Sequence, residues 1–329
     1  MKKLLLTICV LIAVCALHAP LSADTPRQQS LRRLEERADS GDPRALFWLS
    51  SMYERGIEGY PRDSVRALAL LRAAADSAYA PAMNYLGYAY AVPLLGVRQD
   101  PDSALMWIER AAMSPEPDPK AFNNLGMLLL TGRHGVRRDY GKARYWLEKG
   151  SELDLPTASA SLARMYLEGL GMQPDTVQAL RLLRRAAAKG LDDAARELAS
   201  LVLPATDTLS SSARLDLALP YYHDRIWPVA IPLIQSAADC GEPLAIAIMA
   251  QCYAEGTGIP YDYTRAIDLY AKAAAMGEPH AQFIMAETLQ SFPDLLDQYP
   301  TLQDAPSLYE AAAEAGVSDA TEAIAPLRP

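Results

Sequence analysis

The sequence predicts an all-α protein built from tandem helix–turn–helix units, and three observations carry that prediction. Alanine and leucine dominate, valine, isoleucine and threonine are scarce, and Phe occurs only four times, which is helix-forming rather than strand-forming material. An Ala-Ala pair followed by a turn recurs at Ala73-Ala74, Ala111-Ala112, Ala186-Ala187, Ala237-Ala238, Ala273-Ala274 and Ala311-Ala312, with Lys149-Gly150 filling the one empty slot. Successive spacings are 38, 38, 37, 51, 36 and 38 residues. Two further markers keep the same period. An Asp stands four residues before an alanine at Asp63/Ala67, Asp100/Ala104, Asp139/Ala143, Asp175/Ala179 and Asp262/Ala266, and a Tyr three before a glycine at Tyr53/Gly56, Tyr166/Gly169 and Tyr253/Gly256. Self-similarity at a fixed period marks a repeat array, in which each unit buries its apolar face against the next.

Residues 1–23 read as a secretory signal peptide. Lys2 and Lys3 give a basic start, an apolar run extends from Leu4 to about Leu17, and Leu21-Ser22-Ala23 predicts cleavage after Ala23. The run is short for a membrane span. Val14 before Cys15 is a poor fit to the small residue that lipidation requires, which argues against a lipoprotein. The expected location is the periplasm or the exterior, with no stable membrane insertion after cleavage. Losing Lys2 and Lys3 and no acid moves the formal charge from −9 to −11. An acidic chain without a basic run is a poor partner for nucleic acid.

Residues 24–43 read as a capping helix, since Leu31, Leu34, Ala38 and Gly41 look like the second helix of a unit without its first. Residues 44–202 hold four regular units. In each, a first helix (helix A, for example from Pro81 to about Ala91) carries a glycine such as Gly87 or Gly126, where a neighbouring helix can approach closely. A glycine-bearing loop such as Gly169-Leu170-Gly171 follows, supplying positive φ. The Asp then caps a second helix (helix B), whose apolar stripe runs at three- and four-residue spacing, as in Ala179, Leu182, Leu183 and Ala186. Residues 203–227 break the period by some 14 residues, and a bend and a functional elaboration both fit that irregular insertion. Residues 228–329 read as degenerate C-terminal repeats and a capping helix, with Phe292–Ala305 an irregular turn before a helix at Pro306–Ala315.

The pattern resembles the Sel-1-like repeat family, a relative of the tetratricopeptide repeat. The residues that carry the resemblance are Asn84-Tyr85-Leu86-Gly87-Tyr88-Ala89-Tyr90, Asn124-Leu125-Gly126, Tyr166-Leu167-Glu168-Gly169-Leu170-Gly171, and the segment from Lys142 to Gly150. The resemblance covers nearly the whole chain after Ala23. It implies an α/α superhelical solenoid whose helices A line a concave surface, and a role as an adaptor in protein complexes.

The sequence shows no constellation for catalysis. It lacks H-E-x-x-H, G-x-S-x-G and a phosphate-binding G-x-x-x-x-G-K, and its loop glycines follow helices rather than strands. His134, His223 and His280 stand 89 and 57 residues apart, which disfavours a metal site or a Ser–His–Asp set. Some cysteine-rich relatives within the repeat family are linked to penicillin-type antibiotics, which makes an amide hydrolase the alternative reading. No Ser-x-x-Lys occurs here, and the paired cysteines of those relatives are absent. Cys240 and Cys252 suit a disulfide and two half-buried apolar thiols equally well. The recurrent Asp residues are explained as helix caps, and Trp107 and Trp146, at equivalent positions, as core.

What remains is a surface. If helices A face the groove, their outward positions lie two before the Leu-Gly pair and one after it. Asn84, Tyr88, Asn123, Met127, Arg164, Gln251 and Glu287 are then the expected contacts for a protein or peptide partner, with no cofactor and no metal. A purely structural role in the envelope is the second alternative.

Overall fold

The structure is a computed structural model that describes residues 25–324, so the signal-peptide segment and its cleavage site lie outside the described residues. Within them the chain is helical throughout, with no strand. It divides into two units at Leu153/Asp154.

In the first unit, α1 (Pro26–Asp39) packs on the first of three hairpins. These pair α2 (Pro43–Arg55) with α3 (Ser64–Asp76), α4 (Ala80–Ala91) with α5 (Pro101–Ala112), and α6 (Pro119–Thr131) with α7 (Tyr140–Glu152). The second unit begins with the hairpin of α8 (Pro156–Glu168) and α9 (Thr176–Ala188), followed by α10 (Asp192–Val202). Three more hairpins follow: α11 (Ser211–His223) with α12 (Trp227–Asp239), α13 (Pro243–Glu255) with α14 (Tyr263–Ala275), and α15 (Pro279–Ser291) with α16 (Ala305–Glu314). A short α17 (Ser318–Ile324) packs on α16.

One local device recurs in both units and explains two of the three sequence markers, the Asp/Ala and the Tyr/Gly pairs. The Asp at each helix B start is an N-cap. Asp63 accepts from the Arg66 amide, Asp139 from Lys142, Asp175 from Gln178 and Asp262 from Arg265, while Asp100 accepts from two amides, Asp102 and Ser103. The alanine four residues on is fully buried in every case, at Ala67, Ala104, Ala143, Ala179 and Ala266, so helix B can press against its partner without a side chain between. The N–H of the same Asp donates back to helix A: Asp63 to the Tyr53 carbonyl at 2.8 Å, Asp175 to Tyr166 at 3.0 Å and Asp262 to Tyr253 at 2.9 Å. The glycine three residues after the tyrosine ends helix A in the left-handed conformation, with φ of 66° at Gly56 and Gly169 and 69° at Gly256. An arginine three residues after the Asp closes over the same tyrosine ring, Arg66 at 4.5 Å from Tyr53 and Arg265 at 4.6 Å from Tyr253. Helix A, loop and helix B are thereby locked as one hairpin.

Gly87 and Gly126 mark close helix contacts. A Cβ on Gly87 would lie 2.5 Å from the Ile108 side chain and 2.8 Å from the Ala104 carbonyl oxygen; one on Gly126 would lie 2.4 Å from Leu147 Cγ. Trp146 is buried as expected from its position, but Trp107 is only half-buried. Arg110 stacks 4.6 Å from its ring, so this tryptophan is a rim residue rather than core.

Residues 203–227, which carry no repeat marker, hold a 3-10 turn at Leu203–Thr206 and then α11. Arg214 ties this segment down. It donates to the carbonyls of Thr206 (3.2 Å) and Asp207 (2.9 Å) and to the Ser236 hydroxyl (2.7 Å) on α12. Arg184 of α9 reaches Asp224, at the end of α11, at 2.7 Å. Pro220 lies inside α11. Because α11 pairs with α12 as a full hairpin, the helix left without a hairpin partner is α10, which packs on α9 and α12.

Candidate functional site

In the first unit Tyr88, Asn123 and Met127 come together. With Asn124, Thr131 and His134 they line an open hollow of about 180 Å³ across α4 and α6. Tyr88 is 41% exposed, while Asn123 and Met127 are half-buried. Asn84, one turn before Tyr88, is not an outward group. It is buried and holds the hairpins together: its Nδ2 donates to Asp118 Oδ2 at 2.7 Å, and its Oδ1 accepts from Asn124 Nδ2 at 2.9 Å. Asn84 points toward the next helix A, where its amide finds partners on α6 and its cap.

Beside this hollow stands an aromatic cluster. Phe47 meets Trp48, Tyr79 and Tyr85 edge to face, with centroids 6.2, 5.7 and 6.3 Å apart, and Tyr85 lies 6.5 Å from Tyr88. The Tyr85 hydroxyl donates to Glu54 at 2.6 Å. Burial first, and the Glu54 carboxylate second, hold its phenol protonated well above the ordinary tyrosine range.

In the second unit Arg164 is exposed on α8 and lies 3.9 Å from Glu197 of α10. Gln251 and Glu287 are exposed on α13 and α15. Gln251 lines a hollow of about 590 Å³ formed by α13, α15 and the corner between α16 and α17. Its floor is apolar, with Leu244, Ile248, Phe283, Ile284 and Val317. Its polar groups are Gln251, Glu255, Tyr270, Glu278, His280, Ser318 and Asp319. Burial raises the Cys252 thiol above its usual range and pushes the Tyr222 and Tyr270 phenols up to about 12. Cys252 is buried and Cys240 exposed, and both are free thiols, so the disulfide alternative is not realised here. Glu278 and Val317 escaped the sequence reading because they sit in inter-helix corners, which counting along helices A does not reach.

Among the described residues no group of three or more His, Cys, Asp or Glu side chains is placed to hold a metal ion, and no helix is long and apolar enough to cross a membrane.

The Sel1 repeat family model matches residues 43–79, 80–115, 119–155, 156–191 and 243–278, more than half of the chain. The chain belongs to the Sel1 repeat family. Members of this family generally serve as scaffolds for protein interactions. The chain is similar to an uncharacterised protein of Neisseria meningitidis serogroup B, at 28% identity over 306 residues, covering 86% of this chain and 62% of that protein. Among solved structures it is similar to a protective antigen of uropathogenic Escherichia coli with an SLR fold (TM-score 0.50, 24% identity, covering 89% of this chain and 66% of that one). It is also similar to a Sel1 repeat protein of Oxalobacter formigenes (TM-score 0.43, 24% identity, 90% of each chain). This Sel1 repeat chain therefore spans a little under two thirds of the length of the first two relatives. The family model omits 192–242, where the structure has α10 and the α11/α12 hairpin.

Proposed function

We propose that this Sel1 repeat chain is a non-enzymatic scaffold that holds a protein or peptide partner against the outward faces of its helices A. It acts without cofactor, in the periplasm or outside the cell after removal of residues 1–23. The observation that carries this reading is the open hollow across successive helices A, where Tyr88, Asn123 and Met127 are presented by hairpins whose second helices Asp100 and Asp139 cap and which Asn84 ties together. Such a surface loses little ordering entropy on binding, because its groups are already in place. An aromatic ring, a thioether and an amide around one hollow also supply the mixed contacts that binding sites use. Arg164 and Glu287 lie outside both hollows and serve this reading as rim charges.

The test is affinity capture from the envelope fraction of the source cell, comparing the wild-type chain with Tyr88→Ala/Met127→Ala. The expected outcome is a partner retained by the wild type and lost by the double variant, with helicity unchanged by circular dichroism. Equal capture by both chains would remove the first-unit hollow from the binding surface.

A further inference from the structure

The second-unit hollow differs from the first in charge, and that difference selects a ligand. Its charged lining consists of the carboxylates of Glu255, Glu278 and Asp319, with no Lys or Arg among the lining residues. The carboxylates stand over the apolar floor of Ile248, Phe283, Ile284 and Val317. Two of them are fixed in place. Gln251 Nε2 donates to Glu255 Oε1 at 2.9 Å, and the Thr257 hydroxyl donates to Oε2 at 3.2 Å. Glu278 is only 5% exposed, and its Oε2 caps α15 by accepting from the Ala281 amide at 2.6 Å. Among the described residues its carboxylate receives no other hydrogen bond and no ion pair. That amide occupies Oε2, while Oε1 has no protein partner among the described residues and is not sealed from solvent, so it can meet a cation that enters the hollow.

We infer that this hollow receives a short peptide segment of a partner protein in which a lysine or arginine stands next to a large apolar side chain. The cation meets Glu278 and Glu255 while the apolar neighbour rests on Ile248, Phe283 and Ile284. A volume of about 590 Å³ falls in the range of pockets that enclose small ligands, enough for two adjacent side chains and too small for a whole helix. An acidic segment is rejected twice, by these carboxylates and by the chain's net charge of −9. The inference rests on the reading of the helix A faces as peptide-binding, and adds the chemistry of the peptide.

The experiment pans a random dodecapeptide display library on the full chain and measures the enriched peptides by fluorescence anisotropy. Expected are peptides that place Lys or Arg within two positions of Leu, Ile or Phe. Glu278→Gln keeps an oxygen to cap α15 and removes the charge, and it should weaken binding about tenfold or more, as should Lys/Arg→Gln in the peptide. The two losses should not add when combined, since each removes the same pair. Circular dichroism of Glu278→Gln should match the wild type. Acidic or uncharged winners that bind less tightly to Leu244→Ala/Ile248→Ala would overturn the charge selection and leave the peptide-binding reading standing. Basic winners indifferent to Glu278→Gln and to Leu244→Ala/Ile248→Ala would overturn the site. A library from which nothing is enriched would overturn the inference and the peptide-binding reading together.

Discussion

Glycine inside a helix lowers stability by up to about 1 kcal/mol relative to alanine, so Gly87→Ala and Gly126→Ala in helix interiors, and Gly141→Ala at the second residue of α7, would each stabilise a helix in isolation. The packing reverses the sign at two of them. At Gly87 the new methyl would meet backbone, the Ala104 carbonyl oxygen at 2.8 Å and the Ile108 nitrogen at 3.0 Å, as well as the Ile108 side chain at 2.5 Å. Backbone cannot rotate away, so α4 and α5 must separate. Overpacking of this kind costs up to about 3 kcal/mol, and subtracting the helix gain leaves a net loss of about 2 kcal/mol. At Gly126 the obstacles are side-chain atoms of Leu147, at 2.4 and 2.5 Å. Leu147 is fully buried, so its rotation is hindered but not forbidden, and the net loss falls to about 1 kcal/mol. At Gly141 the nearest atom is Asp139 Oδ1 at 3.5 Å, an ordinary contact, and alanine should stabilise by about 0.5 kcal/mol. Urea unfolding followed by far-ultraviolet circular dichroism ranks the three through their midpoints at constant slope. A Gly87→Ala chain as stable as the wild type would refute the claim that this glycine exists for helix approach.

Two other outcomes follow from the same geometry. Asn84→Ala removes two hydrogen bonds from a buried site and strands Asn124 Nδ2 and Asp118 Oδ2, so the first unit should lose about 2 kcal/mol in urea unfolding; unchanged stability would mean the amide bridge contributes nothing. Tyr60, Tyr222, Tyr270 and Tyr299 have phenols pushed up to about 12, chiefly by burial, so the folded chain favours their protonated form. Their contribution to stability is complete below the unfolded tyrosine value of about 10 and is lost as pH rises through about 12. Tyrosinate absorbance should therefore develop at higher pH in the folded chain than in urea, and coincident titrations would show the phenols to be solvated.

The hairpin was legible in the sequence because each part of it is a local decision. A cap, a left-handed glycine and an apolar stripe are fixed by residues within one turn of one another, and the same solution recurs about every 37 residues, so Asp63, Asp175 and Asp262 were readable as caps before any coordinates. The α11 helix was not legible. It buries only Leu215 and Ala218, and its place is held by Arg214 and Asp224 reaching other helices, so it carries no periodic stripe to read. The face of each side chain was decided only in three dimensions. Asn84 and Asn123 occupy the same register, yet one is buried between α4 and α6 and the other lines a hollow, because burial depends on what the neighbouring hairpin brings. The acidic hollow of the second unit assembles Gln251, Glu278 and Val317 from three separate stretches of chain. Local chemistry along the chain set the repeat, and the packing of one repeat on the next decided which groups it presents.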